Sequence, residues 1–400
     1  MYTRLLLRVR KQFDVGARQL FPTLRIKINE VVDVGSAVRQ IKELRSRQLS
    51  NSGDSDIDSR ESEARLWEEI KIQSFTTLYV TAYMLSAVCV LMRIQLYILA
   101  RSAKNNSAEN SSDADSFGGS SGVGISTPSS RGAARKGAPN LSSEEDLNAN
   151  AAAMDTDMFR DLVEGTFQQI FGTGLRSFSS IVKRQMIADL SEWSVKDKLH
   201  VEYSELFSLM NTIRTNLESD LHSMIRLIAL PPEAAPEAET LPSKNSRRDN
   251  AAVQLLLAQI WDVIDSPLFL VAFSEAIDTS FKHIFDCLQK HVFSPDSNSG
   301  SSEFYQERSP PLASLLPQLK AISARLLPAD PDTISYEVKD VSNGIALDNL
   351  CLAVFDAESS APAAGSNSNS TAGDILNSFM KGSASRQAKR PTGLDLWDFN

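Results

Sequence analysis

The chain has 400 residues, 41 of them basic and 50 acidic, for a formal net charge of −9. An acidic balance argues against an electrostatic nucleic-acid binder, and 42% hydrophobic residues are enough for a packed core, which excludes a wholly disordered chain. Three cysteines far apart in sequence (Cys89, Cys287, Cys351) exclude a disulfide framework and any C-x-x-C zinc or redox pair, and fit a reducing compartment.

Apolar residues recur at steps of three and four along most of the chain, which predicts helix nearly throughout. Residues 2–47 are expected to break at Pro22, because proline suits the first turn of a new helix. Leu24, Ile28, Val31 and Val32 then line one face, Gly35-Ser36 reads as a stop and a cap, and Val38, Ile41 and Leu44 line a third short helix. Residues 50–63, rich in serine and aspartate, read as a loop. No signal peptide opens the chain, since residues 1–13 hold only one apolar triplet among Arg4, Arg8, Arg10 and Lys11.

Residues 66–101 predict one helix about 54 Å long. No charge falls between Lys71 and Arg93, so residues 72–92 have the length of a membrane span. Against a span stand Gln73, Ser74, Thr76, Thr77 and Thr81 at its front and Arg93 and Gln95 at its back. The preferred expectation is a central helix covered on nearly all sides by other helices, with Arg93 reaching solvent or an acid. The alternative is a single-pass membrane adaptor with its span at about 72–92.

Residues 102–150, rich in Ser, Gly, Ala and Asn, have too little apolar surface to offset ordering entropy and read as disordered. Helical faces resume over 158–186 and 204–228, and Pro231-Pro232 open a linker to 250. Residues 253–292 read as helix restarting at Ser266-Pro267, with Ser266 as cap. Residues 295–300 are a loop, 312–327 and 338–355 are the last helices, and 357–400 is disorder-prone. The expected architecture is all-α: an elongated bundle around one long central helix, with long disordered loops. Its parts are residues 1–101, with a partner groove and the central helix; an insert at 102–157; the rest of the bundle at 158–356; and a tail at 357–400.

The inventory for catalysis is thin. His283 and His291 are eight apart, where helical zinc pairs are usually four apart, and no histidine accompanies a nucleophile motif. The glycines at 119–124 sit in low complexity without a preceding strand, and Gly172-Thr173-Gly174 inside a helical pattern suggests close helix packing or a kink. No enzyme is expected. Arg4, Arg8, Arg10 and Lys11 suit either an anionic membrane surface or a solvated helix face. The segment 394–399, Leu-Asp-Leu-Trp-Asp-Phe, is either a docking peptide or a frayed terminus.

Leu66-Trp67-Glu68-Glu69-Ile70-Lys71-Ile72-Gln73-Ser74-Phe75-Thr76 resembles the L/I-W-E-D/E-L-K-I-x-S-F-T signature of the peroxin-3 family. Leu91-Met92-Arg93-Ile94-Gln95-Leu96 is similar to the family's L-L-R-V-Q-L at the family's spacing. Looser likenesses follow in order: Leu20-Phe21-Pro22-Thr23-Leu24-Arg25 to L-P-T-L-R, Phe171-Gly172-Thr173-Gly174-Leu175 to L-G-D-G-L, Asp265-Ser266-Pro267-Leu268-Phe269 to E-S-P-D-F, and Ser309-Pro310-Pro311-Leu312-Ala313 to S-L-P-L-A. The resemblance implies a helical bundle on the cytosolic face of the peroxisomal membrane. Its partner would be peroxin-19, the shuttling chaperone of peroxisomal membrane proteins, and it needs no cofactor or metal.

By the same resemblance Trp67, at the opening of the long helix, lines an apolar groove that receives an amphipathic helix of peroxin-19. From the residues alone, Trp67 also reads as capping the core beneath the loop. Lys71, one turn on, is expected to pair with acids beside the partner's apolar face. Ile41 is the expected opposite wall, with Val38 and Leu44 extending it. Members of the family carry a membrane segment ahead of the part matching residues 5–22; an anchor is expected upstream of Met1 or replaced by other means.

Overall fold

The computed structural model describes residues 2–50, 56–112, 166–229, 258–294, 309–330 and 332–356. The described residues are helical, without strands, as the sequence pattern requires. Helix α1 (Tyr2–Val31) and α2 (Val34–Ser50) precede the spine, α3 (Asp56–Ser112). A π-turn at Ile170–Gly174 leads into α4 (Leu175–Asp189), followed by α5 (Tyr203–Glu218) and α6 (Leu221–Ala229). Helix α7 (Pro267–Leu288) ends in a second π-turn at Gln289–Phe293, and α8 (Leu312–Leu326), α9 (Tyr336–Ser342) and α10 (Ile345–Asp356) complete the bundle.

The spine has 57 residues, about 86 Å at 1.5 Å per residue. Helices α1, α2, α4, α7, α8, α9 and α10 all pack on it. The apolar window within Glu61–Arg101 that has the composition of a membrane span is buried throughout by these helices. A helix apolar on every side needs such a cover, and this explains the absence of a polar face. Three of its polar side chains are met by the cover: Tyr79 donates to the Met210 carbonyl at 2.6 Å, Tyr83 to Glu218 at 2.9 Å, and Ser86 meets Ser280 at 2.9 Å. Phe281 of α7 stacks edge-on with both tyrosines, at 5.1 and 5.7 Å.

Arg93 is 1% exposed and does find an acid. It donates to Asp348 at 2.7 Å and to the Ser342 carbonyl at 2.6 Å, while Arg10 approaches the same carboxylate at 3.0 Å. The guanidinium therefore ties α3 to α9 and α10, Arg10 joins α1 to the same carboxylate, and the paired geometry offsets the burial of the Arg93 charge.

Several expected boundaries are corrected. Pro22 does not break α1. Phe21, Leu24 and Ile28 are all buried on one face, and this packing outweighs the roughly 3 kcal/mol that an interior proline costs. The Thr23 hydroxyl donates to the Gln19 carbonyl at 3.1 Å beside the interruption. The next break falls at Asp33, not Gly35-Ser36: the Asp33 carboxylate accepts from the Ser36 amide at 3.0 Å and caps α2. The expected loop over 50–63 is helix from Asp56, and residues 102–112, expected to be disordered, belong to α3; the rest of that insert up to 165 lies outside the described residues.

The helix expected over 204–228 is divided at residues 219–220, where Asp220 caps Ser223 at 3.0 Å. That over 338–355 is divided at Asn343-Gly344, where Glu275 accepts from the amides of Ile345 and Ala346. Ser266 caps α7 as expected, accepting from Phe269 at 3.2 Å. The glycines at 119–124, the linker 231–250, the loop 295–300 and the tail segment 394–399 lie outside the described residues.

Candidate protein-docking site

Helix α2 runs back along the first turns of α3, and the seam between them is closed by Ile41 and Ile70, both buried. The two flanks of the seam differ. On one, Leu44 and Leu66 lie in an open cleft of about 360 Å³ with Gln40, Glu43, Arg47, Ser62 and Arg65 around them. Trp67 follows Leu66 and so points about 100° further round α3, onto the other flank.

There Arg45 of α2 donates twice to Glu63, at 3.0 and 2.6 Å, and its guanidinium lies 5.9 Å from the Trp67 ring centroid. The indole N–H of Trp67 donates to the same Glu63 oxygen region at 3.3 Å. The hydrogen bonds from Arg45 hold the Glu63 carboxyl below the ordinary carboxylate value. Trp67 is half-buried, packed against the core yet open on one side.

Further round α3, the side chains grip the turn that joins α4 to α5. Lys71 is 2% exposed. Its ammonium donates to the carbonyls of Leu190 at 3.0 Å and Trp193 at 2.6 Å, and pairs with Glu68. Glu68 in turn accepts from the Val195 amide at 2.8 Å. Lys71 is therefore not presented to a partner as expected; all its donors are committed inside the fold. Ile41 is likewise part of the core rather than an open wall, whereas Val38 and Leu44 are half-buried. The expected position of Trp67 at the end of the helix is also corrected, because α3 begins eleven residues earlier.

Measured round α3 from Glu63, Trp67 lies at about 40°, Lys71 at about 80° and Glu68 at about 140°. Trp67 thus sits between the side chain that meets α2 and the two that hold residues 190–195. The turn itself was missed from the sequence. The only signal for it was Trp193 among polar neighbours, and nothing local links it to Lys71.

Reaction chemistry is not assembled around these residues. Among the described residues no group of three His, Cys, Asp or Glu side chains is placed to hold a metal ion. His283 meets Asp340 at 3.0 Å and stacks edge-on with Tyr336, while His291 is exposed in the second π-turn. Burial pushes the Cys351 thiol up to about 12 and raises Cys89 as well, so neither is an activated nucleophile.

What the fold defines is an all-helical scaffold whose most distinctive surface is a tryptophan set between charged walls. A profile of the peroxin-3 family matches residues 27–355, and the chain belongs to that family. It is similar to Peroxisomal biogenesis factor 3 of Eremothecium gossypii, with 24% identity over 308 residues, covering 68% of this chain and 67% of the relative.

Proposed function

We propose that this protein acts in peroxisome biogenesis as a docking receptor for peroxin-19. In this reading it stands at the peroxisomal membrane with the bundle facing the cytosol, and accepts the chaperone during insertion of membrane proteins. Membership of the peroxin-3 family supports the role in biogenesis. The observation that carries the docking role is Trp67: a large side chain within the family signature, left half-open between α2 and the turn at 190–195. Apolar surface of this kind marks partner sites, and tryptophan is enriched among the residues that dominate binding energy.

An amphipathic helix laid along the α2–α3 seam would set its apolar side on Trp67 and Val38 and its polar sides against Arg45 and Glu63. The cleft at Leu44 and Leu66, on the other flank, offers a second apolar foothold. Lys71 supports the site from beneath. Titration calorimetry of the chain with peroxin-19 tests the reading: Trp67→Ala is expected to weaken binding by at least about 2 kcal/mol, or roughly thirtyfold, with the thermal melt nearly unchanged. Unchanged affinity removes Trp67 from the site. A collapsed melt with proportionate loss of binding assigns it to capping the core instead.

A further inference from the structure

The turn over residues 190–198 is held unusually firmly for a connection between helices. Lys71 and Glu68 fix its first half to α3 through the Leu190 and Trp193 carbonyls and the Val195 amide. Its second half is fixed to the start of α8, where the Leu312 amide donates to the Lys198 carbonyl at 3.1 Å and the Val201 amide to the Pro310 carbonyl at 3.0 Å. Lys198 lies 5.2 Å from the Trp193 ring and pairs with Glu205. A buried lysine spent on a surface turn is a costly arrangement, and it makes the turn a rigid edge rather than a mobile loop.

That edge runs alongside Trp67. Val195 is bonded to Glu68, the residue next to Trp67, so Lys196 follows directly on the residue that meets this part of α3. Lys196 is exposed, and no carboxylate among the described residues pairs with it. Its charge is felt at Glu63, the carboxylate that also accepts from Arg45 and from the Trp67 indole. Two cations, Arg45 and Lys196, therefore act on the carboxylate that holds the Trp67 indole, and only Arg45 is paired with it.

We propose that residues 190–198 are the second wall of the Trp67 groove, and that Lys196 recognises a carboxylate beside the apolar face of the docked helix. The proposal rests on the docking reading above and gives it a partner chemistry: an amphipathic helix carrying an acid on the side that faces α4 and α5. A cation at the rim of an interface acts mainly on the association rate and on the salt dependence.

The test is titration of the full chain with peroxin-19 at low and at high salt, using Lys196→Glu, Lys196→Gln, Trp67→Ala and, as a charge control, Lys282→Glu. Lys282 is exposed on α7 next to Phe281, which packs at the level of Tyr79 and Tyr83, well along the spine from Trp67. At low salt Lys196→Glu is expected to weaken binding about tenfold and Lys196→Gln about threefold. The gap should close at high salt, and Lys282→Glu should change affinity less than about twofold. If Trp67→Ala weakens binding but Lys196→Glu matches Lys282→Glu, the second wall is overturned and the docking reading stands. If Trp67→Ala leaves affinity intact, the docking reading falls and the proposal with it.

Discussion

Lys71 is a charged side chain placed almost wholly inside the protein, and its surroundings explain why it is tolerated. Two backbone carbonyls and one carboxylate take up its ammonium, so the charge is paired and the carbonyls at the end of α4 are capped. Lys71→Met would leave the Trp193 carbonyl without its partner and Glu68 without its cation. The expected loss is about 1–3 kcal/mol, read as a lower melting temperature in differential scanning calorimetry. A melt unchanged from wild type would mean that the turn holds itself. None of this was legible locally, because the carbonyls lie 119 and 122 residues away in sequence.

Glu63 gives a dependence on pH with a defined sign. Its folded value is depressed, chiefly by the hydrogen bonds from Arg45. A depressed carboxylate contributes stability that is fully present above its unfolded value of 4.5 and is lost as the pH falls through the folded value. The stability difference between wild type and Glu63→Gln should therefore be constant near neutrality and shrink as the pH drops below 4.5. A difference that persists undiminished in acid would show that the Arg45 contact does not depend on the charge of Glu63.

At the scale of elements, the first π-turn shows what the sequence pattern can and cannot convey. Gly174 lies where a Cβ would come within 2.2 Å of the Ile228 carbonyl oxygen, a backbone atom that cannot swing aside, whereas a Cβ at Gly172 would meet nothing within 4 Å. Two glycines in a helical run suggest close packing or a kink, and only Gly174 requires close packing. Gly174→Ala should cost about 1–3 kcal/mol through forced separation of α6 from the turn. Gly172→Ala should stay within about 0.5 kcal/mol of wild type. Equal melts for the two variants would contradict this packing.

Helix boundaries were less legible than helix cores. Pro22 and the serine-rich run before Leu66 both carry strong local signals against helix, yet buried faces and continuity with the spine prevail. The division at Asn343-Gly344 was missed for the opposite reason. The apolar period runs on through Val338, Val341, Leu347 and Leu350, all buried, while the chain turns where Glu275 from α7 receives the new amides.

For the whole molecule, the decisive feature is the spine. Residues 72–92 have the length of a membrane span, and the cover shows that they are a protein core: seven of the described helices pack on the spine. The sequence hinted at this through the threonines at its front and Arg93 at its back. The salt-bridged partner of Arg93 lies 255 residues on. Of the proposed docking site, Trp67 was legible through the family signature. Its charged surroundings were not, since Arg45 and residues 190–195 are brought to it by tertiary packing alone.

In the docking reading, the scaffold receives its partner where α2, the start of α3 and the turn at 190–198 come together. Deuterium exchange of the full chain, with and without saturating peroxin-19, reads this surface directly. Slowed exchange is expected over α2, residues 61–71 and residues 190–198, with α9 and α10 unchanged. Protection confined to α9 and α10, with the α2–α3 seam exchanging as in the free protein, would contradict it.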